Sequence, residues 1–509
     1  MIAVSEAWKD IQTRFLLPET HIEIDCTVTE AEVQESMTIS GTDEALISNT
    51  ISAKYDTTKS VKYATNELNM WALDGTFTVA PDAPPYADFG YISNLDSVGS
   101  ITMKLPEVHA SATSGLTINW AGRLDEYPTV FTITAKNGDE VVYESTVTDN
   151  TEQVSAVFAK IQNYDTITIA VHAWSIPYRR VRIEKVTIGH VLTFYKKDIF
   201  NYTHEQTGHL NSGELPKNSI TFTLDNSDGR WNPNNPTGME QYLSERQRLR
   251  VRYGLDVNGT IEWIKAGTFY LSEWRVPNNG LEASFVARDI FEYLLNETYT
   301  GGTSGKLSDL ILDAFDSAGI PDDFVYISDP SLNNYSATLP EGEHTCAEIV
   351  QMCANAGGCV IYQDREGVLH IEPLSKVHSG AIIPLTLSYS HPEIELSKPL
   401  KNVDVSYGAE KPYSLFVGSN GETQTVSNPL ISNKAQAIFI AEWVRDTLTT
   451  RKTVSGEYRA DPRLDVFDIV AVASKYGDLQ NVALTSIKYT FNGSFRGEYE
   501  GRLLEVGNV

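Results

Sequence analysis

In the stretch DTITIAVHAW (165–174), Ile167, Ile169, Val171 and Ala173 fall on every second position, with Thr166, Thr168, Ala170 and His172 between them. A period of two makes a strand with one buried and one solvated face, and no helix can bury such a pattern on a single side. The same texture returns along most of the chain, in HIEIDCTV (21–28), LTINWAGR (116–123), RLRVRYG (248–254), LEASFVAR (281–288) and VALTSIKYTF (482–491). Turn residues separate these runs, so the chain is expected to be mainly β and antiparallel. At 509 residues it is too long for one core.

Helical periodicity interrupts the strands in three places. Leu307, Leu310, Ile311, Ala314, Phe315 and Ala318 share one helical face, with Gly319 as a natural stop. Thr345 and Glu348 have capping-box spacing ahead of Ile349, Val350 and Cys353, and Gly357-Gly358 ends that run. GCVIYQ, the turn DREG and VLHIEPL then read as a hairpin, giving a small α+β unit. A third helix, from about 433 to 449, turns Ala437, Ala441, Val444 and Leu448 inward. At the N-terminus, Val4, Trp8, Ile11 and Phe15 give a short amphipathic helix.

The expected order is a helical arm at 1–19, a first β-domain in two parts at 20–60 and 191–298, and a β-sandwich inserted between them at 61–190. A small α+β domain at 299–395 and a second β-domain with one helix at 396–509 complete it. Splicing tolerates such an insertion when its two ends, here near Val61 and His190, lie close together.

Asp, Asn and Gly crowd LDNSDGRWNPNNPTG (224–238) in the manner of a calcium loop. With Gly229 at the sixth loop position, Leu224 takes the first and Asn235 the twelfth, and neither supplies the ligand needed there. The stretch reads instead as a strand exit, a turn at 226–229 and a loop held extended by two Asn-Pro steps. Cys26, Cys346, Cys353 and Cys359 have no Cys-x-x-Cys pairing and read as core thiols of a protein made in a reducing cytoplasm. No hydrolase elbow, zincin helix, P-loop or dinucleotide fingerprint is present, so no enzyme activity, cofactor or metal is expected. His344 and Glu348 alone do not make a zinc site.

The formal net charge of −27 argues against a grip on nucleic acid or anionic lipid, and no apolar run reaches the length of a membrane span. Trp174 and Tyr178 flank the loop WSIPYRR, and His172 faces outward beside them, so these three are the candidate carbohydrate contacts. Trp71 and Trp120 fall within strands and are expected in a core.

Six segments in order carry a family resemblance: GELPKNSITFTLDNSDGRWNPNNPTGMEQYL, RVRYG with AGTFYLSEW, FVARDIFEYL, AEIVQMCANAGGCVIYQDREGVLHIEPL, LKNVDVSYG and RADPRLDVFDIVAV. Together they resemble the tail-tip or baseplate hub proteins of tailed bacteriophages, versions of which occur in related contractile injection machines. The resemblance implies two β-barrel-like hub domains joined by a small α+β unit. It also implies a homotrimer whose six such domains ring the end of the tail tube and gate DNA and the tape-measure protein. Expected partners are the distal tail and tube proteins, in a virion assembled in the host cytoplasm, with DNA passing through without specific binding. NELNMWALDGTF, FGYISN and YRRVRIEKVTIG resemble a carbohydrate-binding-module jelly roll, which adds host cell-surface polysaccharide as a partner. The chain ends at Val509 without the fibre or peptidoglycan-cleaving domain that many larger relatives carry. A glycan-binding adhesin and a virion-associated cell-wall hydrolase are the alternatives. An acidic ring lining would let DNA slide, with Arg246, Arg248 and Arg250 paired or turned to neighbours.

Overall fold

The computed structural model describes residues 2–14, 19–29, 36–44, 90–110, 113–121, 124–235, 238–239, 243, 245–277, 280–320, 324–374, 378–408, 411–448 and 450–504. Two compact units divide the chain, one formed by Met1–Cys26 with Thr193–Val509 and one by Thr27–Leu192. The architecture is mainly β with a helical middle.

Seven successive strands of the larger unit form one antiparallel run: Lys452–Tyr458, Phe495–Leu503, Leu479–Phe491, Ile199–Thr207, Lys217–Asp225, Glu282–Arg288 and Thr260–Arg275. Arg248–Val257 follows beside Thr260–Arg275, and Glu393–Leu396 lies outside Lys452–Tyr458. Two separate β-domains were expected here, yet their strands share a sheet. The join is the main-chain ladder from Tyr202 opposite Phe491 to Thr207 opposite Ser486. A hydrogen-bonded ladder needs a partner of matching twist and length, and sequence periodicity does not say which strand supplies it.

Beneath that join, buried aromatic side chains meet around His204. Its Nδ1 lies 2.8 Å from the Tyr253 hydroxyl, its Nε2 lies 2.8 Å from Asn218 Oδ1, and Phe269 packs edge-on with ring centroids 5.3 Å apart. Arg365, in the DREG turn, ties three segments together. Its Nε donates to Asp465 Oδ1 at 2.8 Å, Nη1 to the Lys265 carbonyl at 3.0 Å and Nη2 to the Leu464 carbonyl at 2.9 Å.

The helices form where their periodicity placed them. Leu307–Ala318 ends on Gly319 at φ 64°, and Cys346–Gly357 carries both capping-box bonds between Thr345 and Glu348. These helices bury their apolar faces against Val360–Gln363 and Leu369–Glu372. Helix Lys434–Leu448, assigned from sequence to the second β-domain, joins this same core through Ala437, Ile440, Ala441 and Val444. The Gln436 amide donates to the Ala356 carbonyl at 2.9 Å and fixes the docking. The N-terminal helix Glu6–Thr13 is capped by Ser5 and buries Trp8 and Ile11. All four cysteines are buried free thiols.

The smaller unit is a sandwich of two antiparallel sheets. One runs Thr38–Thr42, Gly99–His109, Tyr164–Trp174, Pro128–Asn137 and Glu140–Val147. In the other, Arg180–Tyr195 lies between Tyr91–Asp96 and Thr113–Trp120, which in turn pairs with Val154–Ile161. Ile101, Phe131, Ile133, Ile167 and Ile169 of the first sheet pack on Leu116, Ile118, Trp120, Val181 and Ile183 of the second. The unit therefore starts at Thr27 and not at 61, because Thr38–Thr42 hydrogen-bonds to Gly99–His109. Val61, Trp71 and the whole of NELNMWALDGTF lie outside the described residues.

Candidate functional site

The segment FRGEYEGRL alternates buried and exposed positions along Phe495–Leu503, which turns Arg496, Glu498 and Glu500 to the outer face of the larger unit's sheet. Register then builds two rows, the first across five strands and the second across six. Glu457 stands opposite Glu498, Glu498 opposite Lys488, Lys488 opposite Glu205, and Glu205 opposite Ser219. The adjacent row runs Glu393, Ser455, Glu500, Ser486, Thr207 and Lys217. All of these except Ser219 and Lys217 line a groove of about 480 Å3.

Bases offset part of the charge. Lys217 Nζ is 2.9 Å and Lys488 Nζ 3.5 Å from Glu205, and the Lys217 hydrogen bond holds the Glu205 carboxyl below its ordinary range. Arg496 reaches Glu457 at 3.4 Å. Glu498 still stands directly opposite Glu457, and like charges directly across an antiparallel pair are destabilising. Folding alone does not favour that placement. What the face offers is a broad acidic surface that repels polyanions and attracts basic groups. Elsewhere in the unit, Arg246 is ion-paired to Glu297 at 2.5 Å and lies over the Tyr293 ring.

The Asp-Asn-rich loop is held by its own chain. Asp225 accepts from the Ser227 amide and hydroxyl, and Asp228 from the Arg230 amide and Nε. Gly229 takes φ 70° to close the turn on the Asn226 carbonyl. Asn226 Oδ1 accepts from the amide of Trp231, whose buried ring packs edge-on against Phe285. Among the described residues, no group of three or more His, Cys, Asp or Glu side chains is arranged to hold a metal. His344 and Glu348 lie 3.9 Å apart at the capped helix start.

The three carbohydrate candidates are placed differently from one another. His172 is exposed and hydrogen-bonds Thr132 at 2.9 Å, and Tyr178 is 57% exposed on a left-handed backbone at φ 61°. Trp174 is only 6% exposed. Its Nε1 donates to Glu126 at 2.8 Å, and its ring packs edge-on against Trp120, leaving no face for a sugar. The cause is a β-bulge. Phe131 faces Val171 while Val130 faces Ala173, so His172 is an extra residue and the alternation changes sides after it.

Sequence reasoning also missed the charged core beside Trp174. Glu126, fully buried, lies 3.3 Å from Arg179 and 3.5 Å from Arg182. The run YRRVR was a signal for it, since a base at an inward strand position needs a buried acid.

No protein-family model and no curated protein matches the chain. Solved structures do. The prophage MuSo2 43 kDa tail protein from Shewanella oneidensis aligns at 12% identity and TM-score 0.44, covering 62% of this chain and 95% of that one. A Neisseria meningitidis tail protein aligns at 13% identity and TM-score 0.43, covering 62% and 93%. Prophage tail protein gp18 from Listeria monocytogenes follows at 12% identity and TM-score 0.41, covering 62% and 92%.

Proposed function

We propose that this chain is a structural protein of a phage tail tip or related injection machine, working as a homotrimeric hub that joins the tail tube to the tip. The observation that carries the reading is where the six resembling segments fall. All lie in the larger unit, and four of them supply strands of its one shared sheet. A sheet joining both halves of the chain suits a ring wall that must bear load. The outward Glu rows suit the wall of a passage, since acidic side chains do not capture phosphates by counterion release as Lys and Arg do. Three copies would carry three times the chain's −27. The tube proteins, the tape-measure protein and passing DNA are the partners of this role. It asks for no catalysis.

Imaging the assembled particle tests it. Three copies in a closed ring, with Glu205, Glu457, Glu498 and Glu500 toward the lumen, are expected. A single peripheral copy, a fibre, or a ring whose lumen is neutral or basic refutes the reading.

A further inference from the structure

Within the larger unit, a cavity of about 270 Å3 lies where Ile199–Thr207, Lys217–Asp225, the 360–374 hairpin and residues 465–468 meet. At about 30 Å3 per water it has room for roughly nine waters, less than a drug-sized ligand needs and enough for one amphiphilic side chain. Partly exposed Lys217 and Glu372 are among its lining residues, so it communicates with solvent.

Its chemistry is one-sided. Asp289, Asp364, Glu372, Asp465 and Asp468 line it, and among the described lining residues Lys217 is the one base. Lys217 is engaged with Glu205, and Asp465 with Arg365. Two further acceptors are not engaged. Asp289, 2% exposed, accepts the Phe291 amide on Oδ1, while its Oδ2 has no hydrogen-bond partner among the described residues. Gln206, 4% exposed, donates to Asp465 through Nε2, and its Oε1 is likewise without a partner. A buried acceptor left unsatisfied costs about 1–3 kcal/mol, so these two, on residues that line the cavity, favour a donor brought beside them. Burial pushes the Asp289 carboxyl well up, because the charged form loses its solvation there. The remaining wall is apolar, from Val360, Leu374, Val466 and Phe467.

We infer that this cavity is a binding site for an alkylammonium group, its methylenes against Phe467 and Leu374 and its three N–H donors toward Asp289, Gln206 and a neighbouring carboxylate. A lysine side chain of a partner protein and a free aliphatic diamine share that chemistry. A quaternary ammonium has no N–H to donate, and a bare metal ion has no stem for the apolar wall.

Titration calorimetry on the full chain tests this with butylammonium, tetramethylammonium and sodium chlorides at matched ionic strength. Butylammonium is expected to saturate with a Kd of about 1 mM or tighter, and the other two not at all. Asp289→Asn is expected to weaken it at least about tenfold. Should that variant misfold, Leu374→Trp, which fills the cavity from its apolar side, must also abolish binding. Blocked lysine (Nα-acetyl-lysine methylamide) binding more tightly than 1,5-diaminopentane assigns the site to a partner's side chain, and the reverse order assigns it to a free diamine. No saturation by butylammonium, equal binding of tetramethylammonium, or undiminished binding in a folded Asp289→Asn overturns the inference. None of these outcomes depends on the hub reading.

Discussion

His204 should make the larger unit acid-sensitive through a single group. Burial pushes its imidazole from the ordinary value near 6.5 down to about 4. Asn218 Oδ1 accepts from Nε2–H and the Tyr253 hydroxyl donates to Nδ1, an arrangement that suits the neutral ring. With the folded value below the unfolded one, the unfolded chain takes up the proton first. Stability is therefore intact above pH 6.5 and falls as the pH drops through the window from 6.5 to 4. A depression from near 6.5 to about 4 sets the full loss at about 3 kcal/mol, of which about 2 kcal/mol is gone by pH 5. Asp289 and Asp468, whose carboxyls burial pushes up, act in the opposite sense, so the measurement must compare two proteins. His204→Gln keeps an amide able to meet Asn218 and Tyr253 and cannot titrate. Urea denaturation at pH 7.5 and 5.0, followed by tyrosine and tryptophan fluorescence, should find the wild type losing about 2 kcal/mol more than the variant on acidification. Identical pH dependence in the two proteins would refute the reasoning.

Thr345→Ala removes the side-chain half of the capping box and should lower stability by about 1 kcal/mol in urea denaturation. Gly358→Ala should cost clearly more than Gly319→Ala in the same assay. Both glycines have left-handed φ, but a Cβ at 358 would meet Phe439 at 2.7 Å while one at 319 meets nothing within 4 Å. Arg365→Lys keeps the charge but loses the fork that reaches Asp465, Lys265 and Leu464 together, and should destabilise by about 3 kcal/mol, read as a lower urea midpoint. Glu126→Gln removes the buried charge facing Arg179 and Arg182, and calorimetry should find the sandwich destabilised by about 3–5 kcal/mol.

What was legible in the sequence was local. The Leu307–Ala318 face with its Gly319 stop, the Thr345–Glu348 box and the DREG hairpin each depend on residues within a few positions of one another, and each formed as read. Thr221 to Leu224 and the turn at Gly229 did so as well. What was hidden depended on distant partners. Nothing near Thr38–Thr42 announces Gly99–His109, and nothing near helix Lys434–Leu448 announces Ala356. Trp174 was misread because one extra residue at His172 reverses every later inside–outside assignment, and a bulge leaves no mark in apolar spacing. The Glu rows were half visible. Alternation in FRGEYEGRL puts Glu498 and Glu500 on one face, but only register brings Glu457 and Glu205 beside them.

The ladder between Tyr202–Thr207 and Ser486–Phe491 also sets a timetable for synthesis. On the ribosome the strand Ile199–Thr207 emerges about 280 residues before its second neighbour, an interval of roughly 15–60 s at 5–20 residues per second. Throughout that interval one side of the strand is an open edge, a template for any other extended chain. The nascent protein must carry it uncovered, or have it shielded by a chaperone, until Leu479–Phe491 has been translated.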